Sequence, residues 1–254
     1  MSSFVDTEHQ LFVYAVGRGN PPHEGHMATI MAAIELARNH NGKALILLGN
    51  GTAKTIGTIE NPLDFALKKA ILEANIPKEY ASFYEIQMMT NPTSDITMFI
   101  EKHKDANRKP YILHITADKA GKGNEKSDSE KLAFINQYLQ EAGFETDSHA
   151  ITPTKAEDED MSATSIRKFA VNQTKEAFID KYSDFYGDIA GTVYDTIDDA
   201  YKKTSSEKLR DKYIYKEDEP PVSKKVRANG GTRNKKRKRK GITKKRKPYK
   251  SISK

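Results

Sequence analysis

Residues 11–26 read L-F-V-Y-A-V-G-R-G-N-P-P-H-E-G-H, an unbroken apolar run that stops at a glycine and gives way to a polar, proline-containing loop. A run with no polar residue on either face is the pattern of a strand covered on both sides. Downstream of the loop, Met27, Ile30, Met31 and Ile34 recur at helical spacing, so residues 26–39 are expected to be a helix. Strand, loop and helix in that order form the opening unit of a parallel sheet.

The same alternation continues. Residues 44–48 (ALILL) predict a second strand, closed by the turn residues Gly49, Asn50 and Gly51. Asn61 and Pro62 read as the N-cap and first-turn proline of a helix whose apolar face carries Leu63, Leu67, Ala70, Ile71 and Ala74. Strands are further expected at 83–89, 111–115 and 146–151, with helices at 94–103 and 132–142 and a polar loop at 121–129. Strands separated by helices of this length imply right-handed crossovers. The predicted class is therefore α/β, a doubly wound parallel five-stranded sheet of Rossmann-like form. After an acidic loop at 157–160 a helix should begin at Ser162. Ile189, Val193, Ile197 and Tyr201 mark another, and the helices of 163–203 are expected to pack on the sheet.

Charge divides the chain in two. From residue 224 onward there are 16 Lys and Arg and no Asp or Glu, which leaves 26 basic against 35 acidic residues in 1–223, a net near −9. The net charge of +7 thus belongs to no single part. High charge and few apolar residues beyond Thr204 favour a disordered basic tail at 204–254 after a domain at 1–203. The tail suits non-specific binding to nucleic-acid phosphates, nuclear localisation, or a merely solubilising role. Its basic stretch from residue 224 holds a single aromatic, Tyr249, which argues against base-specific recognition. There is no cysteine, so disulfides and thiolate metal sites are excluded. No apolar run approaches the roughly 18 residues of a membrane span, and the N-terminus lacks a signal-peptide pattern. A soluble cytoplasmic protein is expected, with a nuclear location added by the tail.

Two segments carry chemistry. In residues 17–26 (G-R-G-N-P-P-H-E-G-H), Gly17 and Gly19 let backbone approach a phosphate, and the amides that open the following helix favour an anion. His23 and His26, three apart across Gly25, can face one anionic group and stabilise charge developing on it. A metal would need a third ligand, and none stands nearby. About 135 residues further on, 161–168 (M-S-A-T-S-I-R-K) reads as a helix start capped by Ser162, with Ile166 turned inward. Its amides, the Thr164 and Ser165 hydroxyls and the Arg167 guanidinium are suited to polyphosphate oxygens.

The first segment resembles the H-x-G-H signature of the nucleotidyltransferase superfamily, and the second its I-S-x-T-x-I-R motif. The wider form G-R-x-x-P-x-H-x-G-H and the form S-A-T-x-I-R are most similar to archaeal-type nicotinamide mononucleotide adenylyltransferases and to related phage and viral enzymes. An aromatic usually follows the Arg of the first motif, whereas Gly19 stands here. Asn61-Pro62-Leu63 resembles the N-P-[LF] of the same relatives, and Asp118, after the fourth strand, partly matches a nucleoside-contacting G-x-D. Lys54, after the second strand, is a further cation near that end. The resemblance spans residues 11–185.

What it implies is a transfer of a nucleoside monophosphate, from ATP in the first instance, to nicotinamide mononucleotide, with Mg²⁺ carried on phosphate oxygens, in NAD biosynthesis. It casts His23, His26 and Arg167 as catalytic, and Gly17, Arg18, Gly19, Asn20, Asp118, Ser162, Thr164 and Ser165 as nucleotide-binding. Two alternatives stand beside it: a cytidylyltransferase acting on a phosphorylated alcohol, and a catalytically silent body whose basic tail binds nucleic acid. In composition the tail resembles those that end many proteins of large DNA viruses, so a viral protein in an infected cell is one source compatible with it.

Overall fold

The apolar run at 11–16 is the middle of β1 (His9–Gly17) in a computed structural model of the chain, which describes residues 8–117, 128–151 and 162–215. Leu11 to Ala15 are all buried, as expected of a strand covered on both faces. Around it run α1 (Glu24–Asn39), β2 (Lys43–Leu48), α2 (Phe65–Asn75), β3 (Tyr84–Met88), α3 (Pro92–His103), β4 (Lys109–Ala117), α4 (Asp128–Glu141) and β5 (Glu145–Ile151). Four helices follow: α5 (Ala163–Asn172), α6 (Lys175–Tyr186), α7 (Ala190–Lys203) and α8 (Glu207–Asp211). The five strands are all parallel in the order β3-β2-β1-β4-β5, so the fold is the doubly wound α/β sheet that the alternation predicts. The order reverses between β1 and β4. That reversal opens a crevice at the carboxyl ends of the central strands, where ligands of such sheets bind.

Strand alternation feeds two cores. Leu11, Val13 and Ala15 pack with Ile30, Ile34 and Leu72 on one face, while Phe12 and Tyr14 meet Phe99, Ile100, Ile135 and Leu139 on the other. The C-terminal helices depart in part from expectation: Phe185 of α6 packs against the first of these cores, but most of their apolar side chains do not. Their buried side chains, Ile166, Phe178, Tyr182, Val193 and Ile197 among them, cluster with Ile59, Leu63 and Ile71 and with no strand residue. A ladder of aromatics on α6 causes this: Phe178 contacts Tyr182 at 4.8 Å and stacks with Tyr186 at 6.1 Å, and rings of that size fill the space between helices.

Two boundaries also move. α2 begins at Phe65, capped by Asp64, whose carboxylate accepts from Leu67 N at 2.8 Å. Asn61 is not its cap, because its side chain is turned into the body. Ala70 and Ala74 are exposed, and the buried face is Lys68, Ile71 and Leu72. The domain does not end at 203 either. Thr204 and Tyr213 are buried, and the chain divides at 216/217, so 204–215 belong to the folded body. The remainder of the expected tail, 216–254, lies outside the described residues, as do the acidic loop at 157–160 and most of the polar loop at 121–129. No helix among the described residues is long and apolar enough to cross a membrane.

One polar intrusion sits in the second core. His114 of β4 lies opposite Tyr14 and stacks on its ring at 4.5 Å with 9° between planes. Tyr14 donates to Asn136 Oδ1 at 2.7 Å, and Asn136 continues to Ser148 Oγ at 2.5 Å. Burial pushes the His114 imidazole down from 6.5 to about 4. Between those values the unfolded chain binds the proton and the folded chain does not, so stability falls as pH drops from 6.5 toward 4. The total is about 3 kcal/mol. Urea titrations across that window should show wild type losing this amount relative to His114→Leu; parallel pH profiles for the two proteins would contradict it.

Candidate functional site

The site is built where β1 ends. At Gly17 the strand gives way to the loop 18–22, and α1 starts at Glu24 with His23 as its N-cap. His23 is buried, and its Nδ1 accepts from Gly25 N at 3.1 Å. A nitrogen that accepts carries no proton, so in the neutral ring the proton lies on Nε2, which becomes a hydrogen-bond donor. His26 is half-buried one turn along, with ring centroids 3.9 Å apart and planes tilted by 52°. It lies over Gly17, where an added Cβ would stand 4.0 Å from His26 Cδ2. The two imidazoles form one surface at the carboxyl end of the central strand.

Asparagines hold the neighbouring loops together. Asn20, 3% exposed, accepts from Leu63 N at 3.0 Å and donates to Leu63 O at 3.0 Å and to Asn61 Oδ1. Asn61 in turn donates to Asn50 O. The turns after β1 and β2 and the approach to α2 are thereby tied by two buried amides. Gly51 lies inside this knot at φ +77, and a Cβ there would come 2.4 Å from Asn61 Nδ2, so glycine is required twice over.

Beneath the knot lies Lys68 of α2, fully buried. Its Nζ donates to Gly49 O at 2.8 Å and to Arg18 O at 3.5 Å, the carbonyls that follow β2 and β1. Burial pushes its ammonium down to about 8; the positive charge of Arg18 pushes the same way, while Asp64 opposes. Arg18 itself is exposed.

From the far side comes α5. Ser162 caps it, with Ser165 N donating to Ser162 Oγ at 3.1 Å and the two hydroxyls 2.9 Å apart. Arg167, 8% exposed, donates from Nη1 to Asn20 O and to Glu60 O at 3.2 Å, and from Nη2 to Thr164 Oγ1 at 3.3 Å. Burial pushes the guanidinium below its usual value; Tyr213 opposes that shift, and the nearby Arg18 adds to it. Tyr186 of α6 donates to Pro22 O at 2.8 Å. The loop after β1 is therefore gripped from below by two helices that lie about 140 to 165 residues away in the chain.

The residues singled out in the sequence fall into three groups. Gly17, Arg18, Gly19, Asn20, His23 and His26 share one loop and helix start, and Arg167 meets them directly at Asn20 O, with Thr164 bonded to Arg167 in turn. Ser162 and Ser165 stand at the cap of α5, bonded to each other. Asp118 lies outside the described residues. Two residues also brace the loop. The Asn20 amide gives both its protons to Asn61 and Leu63 and accepts from Leu63 N. Arg167 binds two loop carbonyls, a bracing role that its motif did not announce. Lys54 is exposed. Lys68, Tyr186 and Tyr213 were not singled out, and Asn61 was read only as a helix cap and as part of the N-P-L segment. For Lys68 a signal existed: it precedes Ile71 and Leu72 by three and four positions, and a charge at a core position of an amphipathic helix is unusual.

Among the described residues no group of three His, Cys, Asp or Glu stands together to hold a metal. The groups on and against the 17–26 loop are two imidazoles, a guanidinium bonded to Asn20 O and an ammonium bonded to Arg18 O, a set of positive charge and donors suited to an anion.

No family model and no curated protein matches the chain. Among solved structures a macrolide-efflux protein from Streptococcus pneumoniae is similar at a TM-score of 0.38 and 17% identity, over 72% of this chain and 56% of that one.

Gly25 allows a direct check of the site's construction. A Cβ there would lie 3.0 Å from His23 Cε1 and 3.2 Å from Nδ1, so Gly25→Ala should push the imidazole off the helix cap. The expected cost is about 1 kcal/mol in chemical denaturation, with a displaced His23 ring resonance by NMR. An unmoved resonance would mean that the cap does not hold the ring.

Proposed function

We propose that this chain is a nucleotidyltransferase, which transfers a nucleoside monophosphate from a nucleoside triphosphate to a phosphorylated acceptor and releases pyrophosphate. The observation that carries the reading is the meeting of the 17–26 loop with the start of α5 through Arg167 and Asn20, at the carboxyl end of β1. Two imidazoles in contact and the nearby charges of Arg18, Lys68 and Arg167 support it, since a polyphosphate is the ligand that such a concentration of positive charge and donors fits.

The chemistry is an in-line displacement. An oxygen of the acceptor's phosphate bonds to the α-phosphorus, the bond from that phosphorus to the bridging oxygen of the β-phosphate breaks, and pyrophosphate leaves with the electron pair. A phosphate nucleophile is already ionised near neutral pH, so what the protein must supply is positioning and charge stabilisation. His23, donating from Nε2, and His26 address the α-phosphate. Ser162, Thr164, Ser165 and Arg167 address the leaving group, and Gly17 and Gly19 keep side-chain bulk away from it. Mg²⁺ would neutralise the leaving charge while held mainly by phosphate oxygens, in keeping with its reluctance to shed water. ATP and nicotinamide mononucleotide are the donor and acceptor of this proposal, and the resemblance of both motifs to archaeal-type adenylyltransferases supports the pair. That would place the chain in NAD synthesis.

A pyrophosphate-release screen of all four triphosphates against a panel of phosphorylated acceptors, nicotinamide mononucleotide and phosphorylated alcohols included, tests the reading. His26→Ala should then lower kcat by about 10²–10³-fold, the usual loss of one preorganised donor. Turnover at the wild-type rate in that variant would reject the assignment.

The tail supports a second function on the same chain. Sixteen basic residues and no acid after residue 223, on a body near −9, are charges of one sign gathered in one segment. We propose that they hold a polyanion such as nucleic acid, independent of base sequence. Replacing the six basic residues of 235–240 with Gln should flatten the dependence of log affinity for duplex DNA on log salt by up to about 5. An unchanged slope would exclude the tail from the contact.

A further inference from the structure

The segment after α7 has no part in the chemistry above, yet it is built into the base of the site. Thr204 turns inward: its Oγ1 accepts from Ile59 N at 3.1 Å and donates to Ala200 O at 2.7 Å. α8 follows, and then Tyr213, fully enclosed. Asn172 of α5 clamps the backbone here, donating from Nδ2 to Tyr213 O at 2.6 Å and accepting at Oδ1 from Tyr215 N at 3.0 Å. Lys212 reaches Glu60 at 3.6 Å. The backbone at Tyr213 is thus held by α5, and its neighbour Lys212 reaches the segment that contains Glu60.

Above that ring stands Arg167, its Cζ 5.3 Å from the centroid. The phenol oxygen is buried and makes no well-aligned hydrogen bond among the described residues, yet it lies near enough to the guanidinium to favour its charge both electrostatically and as a hydrogen-bond partner. A buried hydroxyl without a well-aligned partner is a cost, so what this position contributes is the aromatic face. The face of a phenol attracts a guanidinium, most strongly when water is excluded, and both groups here are buried. The same guanidinium holds Asn20 O and Glu60 O. A ring below and carbonyls at one edge leave few orientations open to a planar cation.

We infer that Tyr213 is a positioning residue for Arg167, its ring holding the guanidinium in the orientation that serves a bound polyphosphate. The inference rests on the proposed role of Arg167 at that ligand. It also accounts for the short segment 204–215, which closes the site from beneath and supplies one wall of the arginine's seat.

The test uses the full chain with Tyr213→Phe and Tyr213→Leu, with inorganic tripolyphosphate as the probe. A second readout needs no ligand: the NMR signal of the Arg167 Nε–Hε group, assigned by its loss in Arg167→Lys. Phe keeps the aromatic face, so it should bind the probe within about twofold of wild type and leave the arginine signal in place. Leu removes the face, so it should weaken binding about tenfold and shift or broaden the signal while still unfolding cooperatively. If Leu does not fold, Tyr213→Met takes its place, since a thioether fills the slot without a ring face. A Leu or Met variant that melts early but keeps wild-type probe affinity and an unmoved arginine signal would reduce Tyr213 to packing and overturn the inference. Should wild type bind no tripolyphosphate while the signal still moves in Leu and not in Phe, the seating of Arg167 stands and the triphosphate reading falls.

Discussion

A buried guanidinium bonded to a loop carbonyl, Arg167 on Asn20 O, is the contact on which the arrangement of this molecule turns. Taking a guanidinium out of water costs several kcal/mol unless its donors are met. Here the return comes from Asn20 O, Glu60 O, Thr164 Oγ1 and the face of Tyr213. Because these partners come from four separate stretches of chain, the charge is satisfied only when all four are in place. Loss of the guanidinium would leave two loop carbonyls without their donor inside the body, and loss of the carbonyls would leave a buried charge. Either is among the larger penalties a single site can impose, about 3–5 kcal/mol. The loop after β1 is held to one shape by that constraint.

The rest of the crown follows the same logic. A parallel sheet ends in strand carbonyls and turns that must be satisfied at the crevice, where helices do not cover them. Lys68 caps the carbonyls after β1 and β2 with one ammonium, and Asn20 and Asn61 tie three turns with two amides. Each of these groups braces the floor, and the lysine also raises the positive potential there. Structural need alone therefore accounts for placing these groups at the crevice. The buried ammonium, brought down to about 8, is the clearest case: an apolar residue would pack there but would leave both carbonyls bare.

Above this floor the catalytic candidates are few and rigid. His23 is locked by Gly25 N as the cap of α1, and His26 is fixed against it one turn later. A ring held by the backbone of a helix start loses little freedom when a ligand arrives, which is the condition under which a hydrogen-bond donor stabilises developing charge effectively. The polybasic segment beyond residue 223 is a matter of composition alone.

Much of the fold was legible in the sequence because its signals are local. An apolar run at 11–16, a turn at 49–51 and helical spacing in α1 and α7 depend only on neighbours in the chain, and they place all five strands and the helices between them within a few residues. The Ser162 cap and the inward Ile166 were legible for the same reason. What failed was long-range. Asn61 looks like a helix cap until Asn20 is found 41 residues away holding it, and Asp64 then takes the cap. Lys68 stands at a core position of its helix, but its partners, the carbonyls of Gly49 and Arg18, lie 19 and 50 residues away in the chain. Residues 204–215 read as tail because a few apolar side chains scattered among charges do not look like a core, and only Arg167 and Asn172 show that Tyr213 belongs to one. The sequence by itself determined which segments are strand and helix and which two motifs carry polar chemistry, because periodicity and capping are settled between residues a few positions apart. Only the tertiary structure decided that those motifs touch and that Arg167 and Asn20 brace one another, because the partner that satisfies a buried charge is chosen by the fold and leaves no trace in local spacing.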